Sequence, residues 1–317
     1  MNINSKEKIL IILGPTATGK SHLSLFLAHR FDCEIISADS MQVYRGMDIG
    51  TGKLSPREQA CVPHYLMDIV DPEHPFSVAD FQRLADLYIG KIVAKGKLPM
   101  ICGGTGLYIN SLVFPYNFTA KANTDPEIRE RLQAEIAEEG LESLYRRLIA
   151  IDPVTAQKIS CHDSRRLIRA LEVYELSGQI PSELVASNAP VKYQPIMIGL
   201  TTSRQRLYQL IELRIDRMLE QGLIEEVQGL LSAGISRNAV SMQGLGYKQI
   251  AAYLEGETSL NQAVALLKRD TRRFAKRQIT WFKRDPRICW FNIDQYLEEG
   301  ELVNAVSFRI AQLLEEA

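Results

Sequence analysis

The octapeptide Gly14-Pro15-Thr16-Ala17-Thr18-Gly19-Lys20-Ser21 constrains this chain more than any other feature, because it fits G-x-x-x-x-G-K-[ST]. It follows Ile9-Leu10-Ile11-Ile12-Leu13, an apolar, β-branched run that reads as a strand buried on both faces. A helix is predicted from Lys20 to about Phe31. In that strand–loop–helix setting the loop amides turn inward around a phosphate and the helix start adds positive potential. Lys20 would neutralise the phosphate oxygens and Ser21 would bind Mg²⁺. Thr16 either donates to the bound phosphate or braces the loop.

Further short strands are predicted at Glu34–Ser37, Leu98–Cys102, Ile196–Leu200 and Ile288–Asn292, with helical patterns between most of them. Strand–helix alternation implies an α/β fold with a parallel sheet covered by helices on both faces. From about Phe118 to Val191 the alternation stops and the signals are helical. Asp125-Pro126-Glu127 opens one helix and Gly140 closes it. Asp152-Pro153 opens another. Asp163 opens a third, with an apolar stripe of Leu167, Ala170, Leu171 and Tyr174 running to Gly178. The expected organisation is a core formed by residues 1–117 and 192–317 and an all-helical insertion at 118–191, with Ser182–Gln194 leading back.

With 37 basic against 38 acidic residues the chain is no polycation, so a nucleic-acid site must come from local clustering of Lys and Arg. Such a cluster exists. Lys268, Arg269, Arg272, Arg273, Lys276, Arg277, Lys283 and Arg284 share one helical stretch in which Asp270 is the acid. Arg269, Arg273, Lys276 and Arg277 fall near one face. Repulsion makes such a face costly unless an anion covers it, and the phosphates of a nucleic acid would serve. A solvated surface is the alternative. Phe274, Trp281 and Phe282 are expected to pack on the sheet. Arg165, Arg166 and Arg169 form a second basic cluster, on the insertion, and two such patches would clamp an RNA arm. The apolar runs are too short for a signal sequence or membrane span. The five cysteines include no C-x-x-C pair, and Cys61 with His64 lacks the second pair a zinc site needs. A reducing, cytoplasmic location is expected, and nothing calls for more than a monomer.

The P-loop does not name its phosphate. ATP users commonly place a carboxylate at the end of a neighbouring strand to hold the metal. Here that strand runs into Cys102-Gly103-Gly104. The available acid is Asp39, after the second strand, where it is either a catalytic carboxylate or an Asx-turn residue.

Four more motifs accompany the loop: Ser37-Ala38-Asp39-Ser40-Met41-Gln42-Val43-Tyr44, Asp48-Ile49-Gly50-Thr51-Gly52-Lys53, His64-Tyr65-Leu66-Met67-Asp68 and Gly103-Gly104-Thr105-Gly106-Leu107-Tyr108. Asp163 to Val173, Gly244-Leu245-Gly246-Tyr247-Lys248 and Ala275-Lys276-Arg277-Gln278-Ile279-Thr280-Trp281 follow. In this order the chain resembles the tRNA dimethylallyltransferase (isopentenyl transferase) family, in its bacterial form, from Ile9 to about Trp290. One departure stands at Gly52-Lys53-Leu54, where the family usually reads Ala-Lys-Pro.

The resemblance implies a P-loop kinase-like core and Mg²⁺ as cofactor. The donor would be dimethylallyl diphosphate, so the loop from Gly14 to Ser21, with Arg214, would grip a diphosphate leaving group. The acceptor would be N6 of the adenosine next to the anticodon on its 3′ side, in the anticodon stem-loop. Asp39, Lys20 and Thr16 would be catalytic. Contacts to tRNA would come from Asp39, Ser40, Met41 and Gln42, from Thr105, and from Gln243, Gly244, Gly246, Tyr247 and Lys248. Arg129 would join Arg165, Arg166 and Arg169, and Arg273, Lys276 and Arg277 would hold phosphates. Ordinary surface pairing is the alternative for Arg166 and Arg214, and a structural role is expected of His64 and His74. Two other readings compete: a P-loop small-molecule kinase, which has no use for the basic helix, and a non-catalytic RNA-binding module, which has none for Asp39 and a complete P-loop.

Overall fold

A computed structural model describes residues 6–114, 125–185 and 191–316. Its sheet contains β1 (Glu7–Leu13), β2 (Cys33–Ser37), β3 (His64–Tyr65), β4 (Leu98–Gly103), β5 (Tyr193–Thr201) and β6 (Cys289–Asn292). Their order is β3-β2-β4-β1-β5-β6, and every pairing is parallel. The predicted strands are all present, the last beginning at Cys289. The two-residue β3 was not foreseen, being too short for any periodicity to register.

β1 lies centrally, and Ile9 through Leu13 are each fully buried. Ile9, Ile11 and Leu13 enter one core with the helices Val78–Ala94 and Gly106–Val113. Leu10 and Ile12 enter another with the helices Lys20–Arg30 and Glu299–Glu316. Cover on both faces is why the strand is continuously apolar instead of alternating. Each such side chain contributes about 1.5–3 kcal/mol of burial free energy.

A third core joins Val43, Tyr44 and Met47 to the helices Arg204–Glu220, Leu223–Ser232, Tyr247–Leu254 and Leu260–Phe282. It supports the loops that follow β2, and it was not anticipated as a separate layer.

The chain divides into two compact units, residues 1–113 with 192–317, and residues 114–191. The expected boundary at 118 lies outside the described residues. The second unit contains the helices Pro126–Glu139, Leu141–Ile151, Pro153–Ala156, Ser164–Ser177 and Pro181–Val185. Asp125, Asp152 and Asp163 each cap a first turn, and Gly178 ends its helix at a φ of 66°. Leu132, Leu144, Leu148, Leu167 and Leu171 form the unit's core. Glu172 is fully buried there. It accepts hydrogen bonds from Arg129 (2.8 Å), Arg169 (2.6 Å) and the Asp125 amide (2.9 Å), which hold its carboxyl ionised, below its usual pKa, against the desolvation that opposes them.

Candidate active site

The P-loop forms because β1 ends in a glycine that no other residue could replace. Gly14 has a φ of +143°, and a Cβ there would lie 2.5 Å from the Leu200 carbonyl oxygen. Ala17 is left-handed, at φ 68°. Thr18 is buried and its hydroxyl donates to the Pro15 carbonyl at 2.9 Å, bracing the loop from inside. Gly19 is the N-cap of the helix Lys20–Arg30 and supplies no side-chain cap. The first-turn amides of that helix are thereby left to an anion.

The loops after β1, β2 and β4 meet around a cavity of about 350 Å³, closed on its far side by the third helical layer. Thr16, Lys20 and Ser21 reach it from the P-loop, and Asp39 to Gln42 from the β2 loop. Gly103 to Thr105 approach from β4, and Arg214 and Gln243 to Lys248 from the helical wall. Phe274 and Arg277 line it too, so Phe274 faces this space instead of the sheet, while Phe282 enters the sheet core as expected.

Lys20 and Arg214 stand beside Asp39 among the cations that line this cavity. The Lys20 Nζ donates to the Pro15 carbonyl at 2.8 Å, and Arg214 donates to the Thr51 carbonyl at 3.2 Å. Among the described residues neither forms a salt bridge. Burial pulls the Lys20 pKa down to about 8, with Arg214 pushing the same way and Cys102 and Asp39 opposing. Burial also lowers Arg214, against the pull of Asp39. Two desolvated cations served by backbone carbonyls, with a single carboxylate nearby, make a pocket short of negative charge. That is the electrostatic form of a site for a polyanion.

Asp39 opens the turn after β2. Its Oδ1 accepts the Met41 N–H at 2.9 Å. The turn role and the cavity position therefore coexist, since one oxygen fixes the loop and the side chain still lines the pocket. The loop is laced to its neighbour: the Thr105 N–H donates to the Ala38 carbonyl (3.1 Å) and the Ser40 N–H to the Thr105 hydroxyl (3.1 Å). Gly103 permits this approach, for a Cβ there would lie 2.2 Å from the Ala38 oxygen. Gln42 is held by the Ser37 hydroxyl at 2.8 Å.

Other candidates are placed differently. Tyr247 is buried and its hydroxyl donates to Glu226 at 2.6 Å, so it shapes the wall. His64 lines the cavity, but its Nδ1 lies 2.7 Å from the Val62 carbonyl and burial lowers its pKa. Arg129, Arg165, Arg166 and Arg169 belong to the other unit. There Arg129 and Arg169 are paired with Glu172, and Arg166 lies 3.4 Å from Asp163.

The basic helix is less uniform than its sequence. Its N-terminal cations are matched: Lys268 with Asp216, Arg272 with Glu212 and Arg269 with Asp270. Arg273, Lys276 and Arg277 are exposed. Among the described residues Arg273 reaches only Asp270, at 3.8 Å, and Lys276 and Arg277 have no acidic partner.

Sequence reading missed two organising side chains. Glu226 accepts the amides of Asp48, Ile49 and Gly50 (2.7–3.0 Å) besides the Tyr247 hydroxyl, and so pins the Asp48–Gly52 loop behind Arg214. Gln278 accepts the Thr16 N–H and donates to the Gly104 carbonyl, each at 2.9 Å. The departure at Gly52 also acquires a reason: its φ is +63°, and a Cβ would stand 2.1 Å from an Arg214 nitrogen. Gln278 lay within a recognised motif; Glu226 carried no signal.

These features define a P-loop α/β protein whose anion pocket adjoins a carboxylate and an exposed basic helix, the equipment of a group-transfer enzyme with a polyanionic acceptor. The model of the IPP transferase family matches residues 42–285 and that of isopentenyl transferase residues 7–68. The chain belongs to the IPP transferase family. It is 52% identical over 287 residues to the tRNA dimethylallyltransferase of Heliobacterium modesticaldum, covering 90% of this chain and 89% of that one. It is 45% identical to that of Acetivibrio thermocellus, covering 96% and 98%. Among solved structures it is similar to the tRNA isopentenylpyrophosphate transferase of Bacillus halodurans (43% identity, TM-score 0.74, 98% of both chains). It is also similar to a eukaryotic dimethylallyltransferase acting on tRNA (27% identity, TM-score 0.80, 96% and 80%).

Proposed function

We propose that this chain transfers the dimethylallyl group of dimethylallyl diphosphate to the exocyclic N6 of the adenosine 3′-adjacent to the anticodon of tRNA, releasing pyrophosphate. The observation that carries this reading is the pair Lys20 and Arg214, two half-buried cations without a salt bridge among the described residues, facing one cavity with Asp39. In the transfer the allylic C–O bond breaks and its electron pair leaves on the diphosphate. The new bond forms from N6, whose proton must depart. Lys20, Arg214 and the capless helix start stabilise the leaving charge. Asp39 is the carboxylate placed to take the proton.

Ser21, with Asp39 as the one carboxylate of the lining, would offer oxygen to a metal ion. Among the described residues no cluster of three or more His, Cys, Asp or Glu could hold one. Such a sparse set fits Mg²⁺ held largely through substrate phosphates, as this ion commonly is. It would supply further neutralisation of the diphosphate.

The acceptor surface runs along the Leu260–Phe282 helix, where Arg273, Lys276 and Arg277 suit the phosphates of an anticodon stem-loop. The cavity-lining residues all belong to one unit, and a monomer is the proposed working form. No helix among the described residues is long and apolar enough to cross a membrane, and the cytoplasm is the proposed site of action.

The test is incubation with Mg²⁺, labelled dimethylallyl diphosphate and unmodified tRNA. Label in the RNA, located by nuclease digestion at the adenosine following the anticodon, is the expected result. ATP turnover without label transfer would select a kinase instead.

A further inference from the structure

The parallel ladder between β1 and β4 ends at the pair Leu13–Gly103. Beyond it the chains part, one into the P-loop and the other into the Gly104–Thr105 turn. The Gln278 side chain bridges them there. It projects inward from the basic helix and is 6% exposed, so its amide must find its partners inside. Oε1 accepts the Thr16 N–H and Nε2 donates to the Gly104 carbonyl, both at 2.9 Å. This orientation is the one that satisfies both partners, because a backbone N–H donates and a backbone carbonyl accepts. Position 104 is fitted to the bridge, since a Cβ there would stand 2.2 Å from the Gln278 nitrogen.

We infer that Gln278 is a positioning residue that sets the separation of the two substrates. This rests on the function proposed above. Thr16 belongs to the loop that would hold the leaving diphosphate. Gly104 precedes Thr105, whose hydroxyl accepts the Ser40 N–H in the turn that carries Asp39. One amide thus ties the donor cradle to the loop bearing the base. Each substrate can still bind its own loop if that tie is cut. The loss falls instead on the chemical step, which needs the allylic carbon and N6 in near-attack alignment. A misplacement of about 1 Å can cost on the order of 10²-fold.

The experiment is single-turnover transfer of labelled dimethylallyl to an unmodified anticodon stem-loop RNA, with enzyme saturated in both substrates. Gln278→Met keeps the length of the side chain and removes both hydrogen bonds. Its rate is expected to fall about 10- to 100-fold, with little change in the dissociation constant of either substrate. Gln278→Glu keeps an acceptor for Thr16, but when ionised sets a carboxylate against the Gly104 carbonyl. When protonated it donates and remakes both bonds. Its rate, divided by that of the wild type at each pH, is expected to rise as pH falls from about 8 to about 6, burial having raised the carboxyl pKa. A purely structural role would leave that ratio flat. A Met variant with the wild-type rate overturns the inference. So does one defective only in binding, or a Glu ratio independent of pH. A wild-type protein that transfers no label would instead overturn the proposed function, and would show it before any variant is made.

Discussion

At the scale of the residue, burial sets the charge of Lys20, and a side-chain hydrogen bond sets the place of Asp39. With burial lowering its pKa to about 8, Lys20 loses its charge in mildly alkaline solution. A bound diphosphate favours the ammonium form, so donor binding is coupled to its protonation. Below pH 8 the lysine is already charged and affinity is steady. As pH rises above 8 the free protein loses the proton and affinity falls, by at most about tenfold per pH unit. Calorimetric titration with dimethylallyl diphosphate between pH 7 and 9.5 is expected to show this. Lys20→Arg should bind less well, through misfit geometry, but without the alkaline fall; a fall of equal size in that variant would assign the titration elsewhere. Asp39→Asn tests the carboxylate. The amide can still accept the Met41 N–H, so the turn survives and both substrates should bind. The chemical step should slow by about 10²–10⁴-fold, the usual worth of a positioned base. Rapid-quench kinetics with pre-bound tRNA reads that step directly, and a near-normal rate would leave Asp39 as a turn residue.

At the scale of the element, the Leu260–Phe282 helix has two functions divided along its length. Its first half is knitted to the Arg204–Glu220 helix through Lys268–Asp216 and Arg272–Glu212, while Arg273, Lys276 and Arg277 remain exposed. Charge removal at Arg273 and Lys276 together should weaken tRNA binding. It should flatten the log–log salt dependence by about one unit for each phosphate no longer neutralised, leaving donor affinity unchanged. Filter binding from low to high salt measures the RNA term, calorimetry the donor, and an unaltered slope would make these residues ordinary surface. The division explains what was legible in the sequence. The strand–loop–helix of the P-loop and the caps Asp125, Asp152 and Asp163 are local, written in neighbouring residues, and they appear in the fold where expected. The pairing of Arg272 with Glu212, the buried Glu172, and the grip of Glu226 and Gln278 on distant backbone depend on residues far apart in sequence. Periodicity carries no trace of them. A charge count over one helix could not show that two of its six cations are matched by another helix.

At the scale of the whole molecule, the cavity around Lys20 and Asp39 is the property of one unit. Every residue lining it lies in 1–113 or 192–317. The insertion leaves and rejoins that unit between the helix Gly106–Val113 and β5, which pack together. A protein in which a short Gly-Ser linker replaces residues 114–191 should therefore fold and bind dimethylallyl diphosphate with the pH dependence of the full chain. It should bind tRNA more weakly, being without Arg165, Arg166 and Arg169. Loss of donor binding in a folded deletion protein would show that the insertion completes the site. The sheet itself carries a last consequence. Its outer strands are its shortest, two residues in β3 and four in β6, against seven in β1 and nine in β5. An open strand edge is a template on which another chain can add, rung by rung, and a long flat one invites aggregation. Here β1 is paired along both sides, and the outermost strands β3 and β6 themselves offer only two and four residues. Neither of those two strands is long enough to seed an extended ladder with a second copy.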